Sequence, residues 1–118
     1  MGGSRSLGEN GEGMKISEMQ QQAWQNSENH GFHDNNDIPT KLMLIVAEAA
    51  EALEDNRSGA MAEAILESGK PTGFASELAD IVIRVGDLAG IVGIDLEAAV
   101  VRKMNYNAGR PYKHGKAY

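Results

Sequence analysis

The spacing of apolar side chains predicts a helical protein from residue 14 onward. Apolar residues recur three and four positions apart, and no run alternates with the period of two that a half-buried strand shows. Glycine or proline interrupts the pattern at helix-length intervals. We therefore expect an all-α fold, with a further short helix over 60–68. The four main helices are predicted over about 17–30, 37–56, 74–92 and 95–109.

Capping residues mark the starts of these helices. Ser17 precedes Gln20 at the spacing of a capping box, and Asp37 stands just before a proline in the first turn of the second helix, Pro39. Asp95 is the expected N-cap of the fourth helix. Local chemistry thus supports the boundaries that the apolar period indicates.

The two central helices each carry an apolar stripe and a row of charged residues. At 100° per residue, we expect the stripes to face the core and the charged rows to lie opposite or beside them. The stripe of the second helix is Leu42, Ile45, Val46, Ala49 and Leu53, and that of the third is Leu78, Ile81, Val82, Val85, Leu88 and Val92. The charged rows are Glu48, Glu51 and Asp55 on the second helix and Glu77, Asp80, Arg84 and Asp87 on the third.

The acids include two pairs three residues apart, Glu48 with Glu51 and Glu77 with Asp80. A solvated face is the ordinary explanation, but like charges at this spacing destabilise a helix, and Leu44 interrupts the acidic side of the second helix. A shared cation explains both features, because carboxylate oxygens are the ligands that Mg²⁺ prefers. We expect the four acids to bind one or two Mg²⁺ ions, with Mn²⁺ as the alternative. A di-iron oxidoreductase is disfavoured because the chain has no Glu-x-x-His pair.

A seam of mostly small residues on the third helix predicts close packing. Ala79, Ile83, Gly86, Gly90 and Gly93 recur at spacings of four and three. Glycine inside a helix costs up to about 1 kcal/mol relative to alanine, so two glycines on one seam indicate the close approach of another backbone. We expect a homo-oligomer packed partly through this seam; the alternative is a wet face that tolerates the glycines.

Three polar side chains near the end of the fourth helix, Lys103, Asn107 and Arg110, recur at spacings of four and three. Lysine and arginine are common ligands of phosphate oxygens, so these residues are candidates for binding an anion beside the acids. Cations at this end also compensate the helix dipole, which is the competing explanation.

Two aromatic residues and a histidine, one on the first helix and two in the loop after it, are candidates for a ligand pocket. Trp24, the only tryptophan, is typical of a core anchor, with base stacking as the other use of such a ring. Phe32 and His33 follow in the loop, where they are suited to form the wall of a ligand pocket.

Composition narrows the class of protein. The 118 residues suit one domain, at 14–118, after a glycine-rich polar segment at 1–13 that we expect to be a disordered extension or tag. A net charge of -6 disfavours nucleic-acid binding, and the absence of cysteine excludes thiolate sites. No apolar run reaches the length of a membrane span, so we expect a cytoplasmic protein without membrane partners.

The two acid pairs, separated by 25 residues, resemble the signature of the MazG-like nucleoside triphosphate pyrophosphohydrolases. The likeness covers 14–118. It includes "GF" at 31–32, "AEAAEALEDNR" at 47–57, "ELADIVIRVGDLAG" at 77–90 and "KMNYNAGRPYKHGK" at 103–116, which are similar to a short single-domain branch. It implies a four-helix MazG-like bundle completed by homo-oligomerisation, as a homodimer or homotetramer. It also implies hydrolysis of nucleoside triphosphates, particularly dNTPs, between the α and β phosphates to a monophosphate and pyrophosphate.

The resemblance also implies a role for each candidate residue. Glu48, Glu51, Glu77 and Asp80 hold Mg²⁺ in this interpretation, and either Glu48 or Glu51 acts on the attacking water. The remaining roles are phosphate binding by Lys103, Asn107 and Arg110, and a base pocket formed by Trp24, Phe32 and His33. The competing hypothesis is a non-catalytic helical oligomer that binds nucleotides or a protein and has a regulatory role.

Overall fold

The computed structural model describes residues 13–115 and is predominantly helical. Its elements are α1 (Ile16–Asn29), α2 (Ile38–Ser58), β1 (Ala64–Ile65), β2 (Pro71–Thr72), α3 (Phe74–Val92), α4 (Leu96–Ala108) and a 3-10 turn (Tyr112–Gly115). The expectation of four main helices is confirmed. The disorder predicted for 1–13 falls outside the described residues except at its last position.

The ends of α2, α3 and α4 agree with the predicted boundaries. Asp37 accepts a hydrogen bond from the backbone N–H of Thr40 at 3.0 Å, as expected for an N-cap. Asp95 accepts the equivalent bond from Ala98 at 3.0 Å. Gly93, in the left-handed conformation, ends α3. Caps of this kind act within one turn, which is why the sequence predicts them.

The start of α1 differs from the prediction. The helix begins one residue before Ser17, and Glu18 accepts from the backbone N–H of Lys15 at 3.0 Å. The backbone N–H of Ser17 donates to Glu97 of α4 at 2.9 Å. The prediction of a capping box at Ser17 and Gln20 is therefore wrong. Lys15 is the N-cap, and the carboxylate of Glu97 accepts the hydrogen bond of the Ser17 amide.

The predicted short helix over 60–68 is also wrong. This segment forms part of an antiparallel hairpin in which Ala64 pairs with Thr72 and Ile65 with Pro71. A helix of nine residues is marginal without tertiary support, since nucleation is costly. Gly73, with φ of 107°, follows the hairpin and passes so close to the segment before it that an added Cβ would lie 2.4 Å from the carbonyl oxygen of Ala62.

Helix α3 lies between α1 and α2, while α4 packs on α1. A Cβ added at Gly86 would lie 2.6 Å from Sδ of Met19, and one added at Gly90 would lie 2.8 Å from Cδ1 of Trp24. The close approach predicted from these glycines is confirmed, but the neighbour is α1 of the same chain. The seam at Gly86 and Gly90 is therefore not the subunit interface that we expected.

The apolar stripe of α2 does not face the core of this chain. Leu42, Val46 and Leu53 are 49%, 53% and 51% exposed, whereas Glu48 and Ala52 are the buried residues of the helix. The predicted orientation of α2 is wrong because its charged side packs on α3. The predicted stripe of α3 is likewise only partly covered. Its exposed members are Leu78, Val82 and Val92.

The described residues have a small apolar core. The buried apolar side chains there are Ala23, Ala52 and Ala89, and no larger side chain in this part of the chain is fully buried. Much apolar surface therefore stays accessible in this part of the chain. Among residues 13–115, no helix combines the length and the apolar character that crossing a bilayer requires.

Candidate metal centre

Three of the four predicted metal ligands meet where α2 passes the start of α3. Glu48, Glu51 and Glu77 each offer one carboxylate oxygen, and these oxygens all lie within 4.8 Å of one another. Glu48 and Glu51 are neighbours on α2 because residues three apart lie on one face, and Glu77 lies in the first turn of α3. Glu48 is buried, Glu77 is half-buried and Glu51 is exposed, so the group opens to solvent.

The fourth predicted ligand, Asp80, lies one turn further along α3. It is half-buried and lines a cleft together with Glu48, outside the group of three oxygens. Burial raises the pKa of Asp80, and the negative charge of Glu48 raises it further against the opposing effect of Arg84 and Lys70. The ionised form of Asp80 is thus disfavoured by burial and by a neighbouring negative charge.

Mutual repulsion shows in the pKa values of the cluster. A hydrogen bond with Glu48 and the charge of that residue raise the pKa of Glu51. Burial raises the pKa of Glu77, followed by the charges of Glu51 and Asp55. The group therefore carries an excess of negative charge that a proton or a cation can relieve.

Glu48 behaves differently because Arg84 pairs with it. Nε of Arg84 donates to Oε2 of Glu48 at 2.7 Å, and the two side chains are 40% and 11% exposed. Burial alone favours the protonated acid, but hydrogen bonds with Arg84 and Glu51 lower the pKa of Glu48. The sequence placed Arg84 in the charged row but assigned it no role.

Asp55 contributes an unsatisfied acceptor on the same side of α2. Its Oδ2 is buried and has no hydrogen-bond partner among the described residues. An unpaired buried carboxylate oxygen is costly, so such an atom calls for a hydrogen-bond donor or a cation. The charge of Asp55 also raises the pKa of Glu77. All the candidate ligand atoms of this region are carboxylate oxygens, which fit Mg²⁺ and Mn²⁺.

A cleft of about 490 Å³ adjoins the cluster and shares Glu48 with it. Its walls combine two kinds of surface. Phe32, Leu44 and Ile83 are apolar, while Lys41 and Arg84 are cationic. Lys41 also donates from Nζ to the backbone carbonyl of Phe32 at 2.7 Å, which ties the loop to α2. The space therefore offers carboxylates, cations and an aromatic ring to one ligand.

The predicted base-pocket residues separate into two groups. Phe32 lines the cleft, whereas His33 and Trp24 do not. The His33 side chain, 8% exposed, bridges Glu28 at 2.8 Å and Asp87 at 2.7 Å through its two ring nitrogens. Its ring centroid lies 5.0 Å from that of Trp24. Trp24 lines a separate cleft together with Gly90 and Asp95, and only Phe32 among the three is placed to touch a ligand in the cleft beside the acids.

The three predicted phosphate ligands lie elsewhere in this chain. Helix α4 packs on α1, and none of Lys103, Asn107 and Arg110 lines the cleft. Nζ of Lys103 is 5.9 Å and Cζ of Arg110 is 5.5 Å from the ring centroid of Tyr106. One chain therefore does not bring these residues together with the acids, and their role in phosphate binding stays a prediction.

No protein-family model, curated protein or solved structure matches this chain. The resemblance to MazG-like pyrophosphohydrolases accordingly stays a prediction from the acid pairs and the quoted stretches.

Proposed function

We propose that this protein hydrolyses nucleoside triphosphates, with dNTPs as the preferred class, between the α and β phosphates in a reaction that requires Mg²⁺. The products are a nucleoside monophosphate and pyrophosphate, and the role is removal or balancing of nucleotides in the cytoplasmic pool. The observation that carries the proposal is the meeting of three carboxylates within 4.8 Å beside a cleft that holds cations and an aromatic ring.

The donor set fits the metal that the motifs imply. Glu48, Glu51 and Glu77 supply the converging oxygens, and Asp80 lies one turn away on α3. Oδ2 of Asp55, on the same side of α2, is buried without a hydrogen-bond partner among the described residues. Bound Mg²⁺ or Mn²⁺ would supply Lewis-acid chemistry, neutralising the triphosphate and acidifying water.

Residues of the chain would bind the nucleobase and the phosphates and orient the attacking water. Phe32 offers a ring face to the nucleobase, and Lys41 and Arg84 offer positive charge to the phosphates. Glu51 is the more accessible of the two candidates for orienting the attacking water, because it is exposed while Glu48 is held by Arg84. Proton transfer to a positioned carboxylate is typically worth 10²- to 10⁴-fold in rate.

Assembly into a homodimer or homotetramer belongs to the same proposal. The large apolar side chains left open on α2 are Ile38, Leu42, Met43, Val46 and Leu53, and they offer a surface that a second copy can cover. Since α4 contributes nothing to the cleft of its own chain, a second copy is also the simplest route for Lys103, Asn107 and Arg110 to reach the phosphates. This arrangement would complete a MazG-like bundle between subunits.

A nucleotide panel tests the proposal. The purified protein is incubated with Mg²⁺ and each of the ribo- and deoxynucleoside triphosphates, and the products are separated. We expect monophosphate and pyrophosphate in equal amounts from at least one nucleotide, and none after chelation of the metal. Release of inorganic phosphate with a diphosphate contradicts cleavage at the α–β bond, and binding without turnover favours a regulatory oligomer.

Variants link the activity to the cluster. Glu51→Gln combined with Asp80→Asn removes two charges from the proposed site and is expected to lower kcat/KM by at least about 10²-fold. Glu54→Gln, an exposed acid on the same helix, is the matched control and should retain activity. Full activity in the double variant would exclude these acids as the metal site.

A further inference from the structure

Arg84 contacts a negative group of the chain, the carboxylate of Glu48, and lines the cleft in which the proposed function would place a second, the phosphates of the substrate. Its Nε donates to Oε2 of Glu48 at 2.7 Å, and it also lines the cleft of about 490 Å³. The Glu48 carboxylate is largely buried, whereas the Arg84 side chain is 40% exposed. The arginine therefore has room to turn, while its carboxylate partner stays inside.

The pair neutralises a carboxylate that otherwise lies in an acidic group. Glu48 has Glu51 and Glu77 within 4.8 Å through their carboxylate oxygens. A divalent cation held by these three acids would repel a guanidinium that shares Glu48, because two positive charges a few ångströms apart in a partly buried site interact strongly. The cation and Arg84 thus compete for one carboxylate.

We propose that Arg84 changes partners during substrate binding: it holds Glu48 before the divalent cation enters, and it then turns into the cleft to bind the phosphate chain. The inference rests on the proposed function, since the second partner is a metal-bound polyphosphate. The guanidinium is suited to both partners because its planar fork binds carboxylate and phosphate oxygens in the same way.

Two titrations test the exchange without any turnover. Mn²⁺ alone and inorganic triphosphate with Mg²⁺ are titrated calorimetrically into the wild-type protein, Arg84→Gln, Arg84→Lys and the control Arg102→Gln, an exposed arginine on α4. We expect Arg84→Gln to bind Mn²⁺ about three- to ten-fold more tightly, because the competing charge is gone. The same variant should bind Mg²⁺–triphosphate at least about ten-fold more weakly, because a charge-assisted hydrogen bond is lost.

The two remaining variants calibrate these shifts. Arg84→Lys keeps the charge but lacks the fork, so its Mn²⁺ affinity should stay near that of the wild type while its triphosphate affinity falls part of the way. Arg102→Gln should change neither affinity by more than about two-fold, because no α4 residue lines the cleft.

Opposite shifts in the two affinities support the exchange, since a purely structural arginine would not produce them. The proposal would be overturned if Arg84→Gln bound Mn²⁺ more weakly than the wild type or left both affinities unchanged. It would also be overturned if the wild-type protein bound no Mn²⁺. If Arg84→Gln does not fold, a crystal structure of the wild type with Mn²⁺ and triphosphate decides. Arg84 on a phosphate oxygen supports the exchange, and Arg84 still on Glu48 contradicts it. Failure of every nucleotide to react would refute the proposed function. The two titrations would still test the exchange, because they measure binding and not turnover.

Discussion

Nε2 of His33 lies 2.7 Å from Oδ1 of Asp87, and this contact joins the loop after α1 to the C-terminal half of α3. Nδ1 of the same ring lies 2.8 Å from Glu28, and Ser27 donates its hydroxyl to Oδ2 of Asp87 at 2.8 Å. The network fixes the residue that follows Phe32, so it holds that ring beside the cleft. His33 thus acts on the candidate site through position and not through contact with a ligand.

The charge of His33 should make stability depend on pH. Burial of the ring opposes its protonation, but hydrogen bonds to Asp87 and Glu28 outweigh burial and raise the pKa of His33 above its ordinary value of 6.5. A raised pKa means that the folded state binds the proton more tightly. The stabilisation is therefore fully present below about pH 6.5 and is lost as pH rises through the folded value.

Thermal unfolding between pH 5.5 and 8.5 measures this effect in the wild type and in His33→Gln, which cannot gain the charge. We expect the difference in Tm between the two proteins to be largest at the acidic end and to shrink as pH rises. His30→Gln, at an exposed position, is the control. A difference that stays constant across the range would show that the charge of His33 contributes nothing.

Replacing Gly90 by alanine should destabilise the protein even though alanine is the better helix former. The added Cβ would lie 2.8 Å from Cδ1 of Trp24, and overpacking of this kind typically costs about 1–3 kcal/mol against a gain in helix propensity of about 1 kcal/mol. Urea unfolding gives the change. Gly109→Ala, at the C-cap of α4, is the control for adding a methyl group, because its Cβ would make only an ordinary contact at 3.7 Å. Equal stabilities for both variants would contradict the packing of α1 on α3.

Removing one acid from the cluster should have opposite effects with and without metal. The pKa of Glu51 is raised by Glu48, so its ionised form destabilises the folded chain and Glu51→Gln should raise the metal-free Tm at pH 7.5. In the wild type, Mg²⁺ at a hundred times its Kd should stabilise the fold by about 2.7 kcal/mol, and the variant should lose most of this gain.

The control for that experiment is Glu54→Gln, which removes an exposed charge from the same helix. It should respond to Mg²⁺ as the wild type does. A response to Mg²⁺ that survives in Glu51→Gln would place the bound cation elsewhere.

A charge on the open face of α2 should disrupt assembly. Val46 is 53% exposed in the single chain, and burying a glutamate there between two copies is costly without a partner for the charge. We expect Val46→Glu to elute as a monomer in size-exclusion chromatography with light scattering, whereas the wild type elutes as a dimer or tetramer. Gln21→Glu, which adds the same charge at an exposed position of α1, is the control. An unchanged mass for Val46→Glu would exclude this face from the interface.

Local signals were sufficient for most helix boundaries and for the acid pairs. Asp37 and Asp95 cap the helices that follow them, and Gly93 ends α3, because each acts on a backbone group within one turn. Glu48 and Glu51 lie on one face because their spacing is close to one turn. The hairpin over β1 and β2 was missed, since strands of two residues are too short to show an alternating period.

The orientation of α2 was decided by tertiary structure. Apolar periodicity predicted that Leu42, Val46 and Leu53 would face inward, and in the single chain they face outward. Arg84 on α3 pairs with Glu48, which offsets the cost of burying that carboxylate and lets the charged side of α2 pack inside.

By itself, then, the sequence determined where the helices run and which acids share a face, because those relationships depend on neighbours a few residues away. Tertiary structure alone decided which face is covered, which helix fills the glycine seam and how His33 meets Asp87. These outcomes depend on partners distant in the chain, whose charges and shapes meet only when the helices pack. The periodic pattern of one helix does not indicate which distant residues will pack against it.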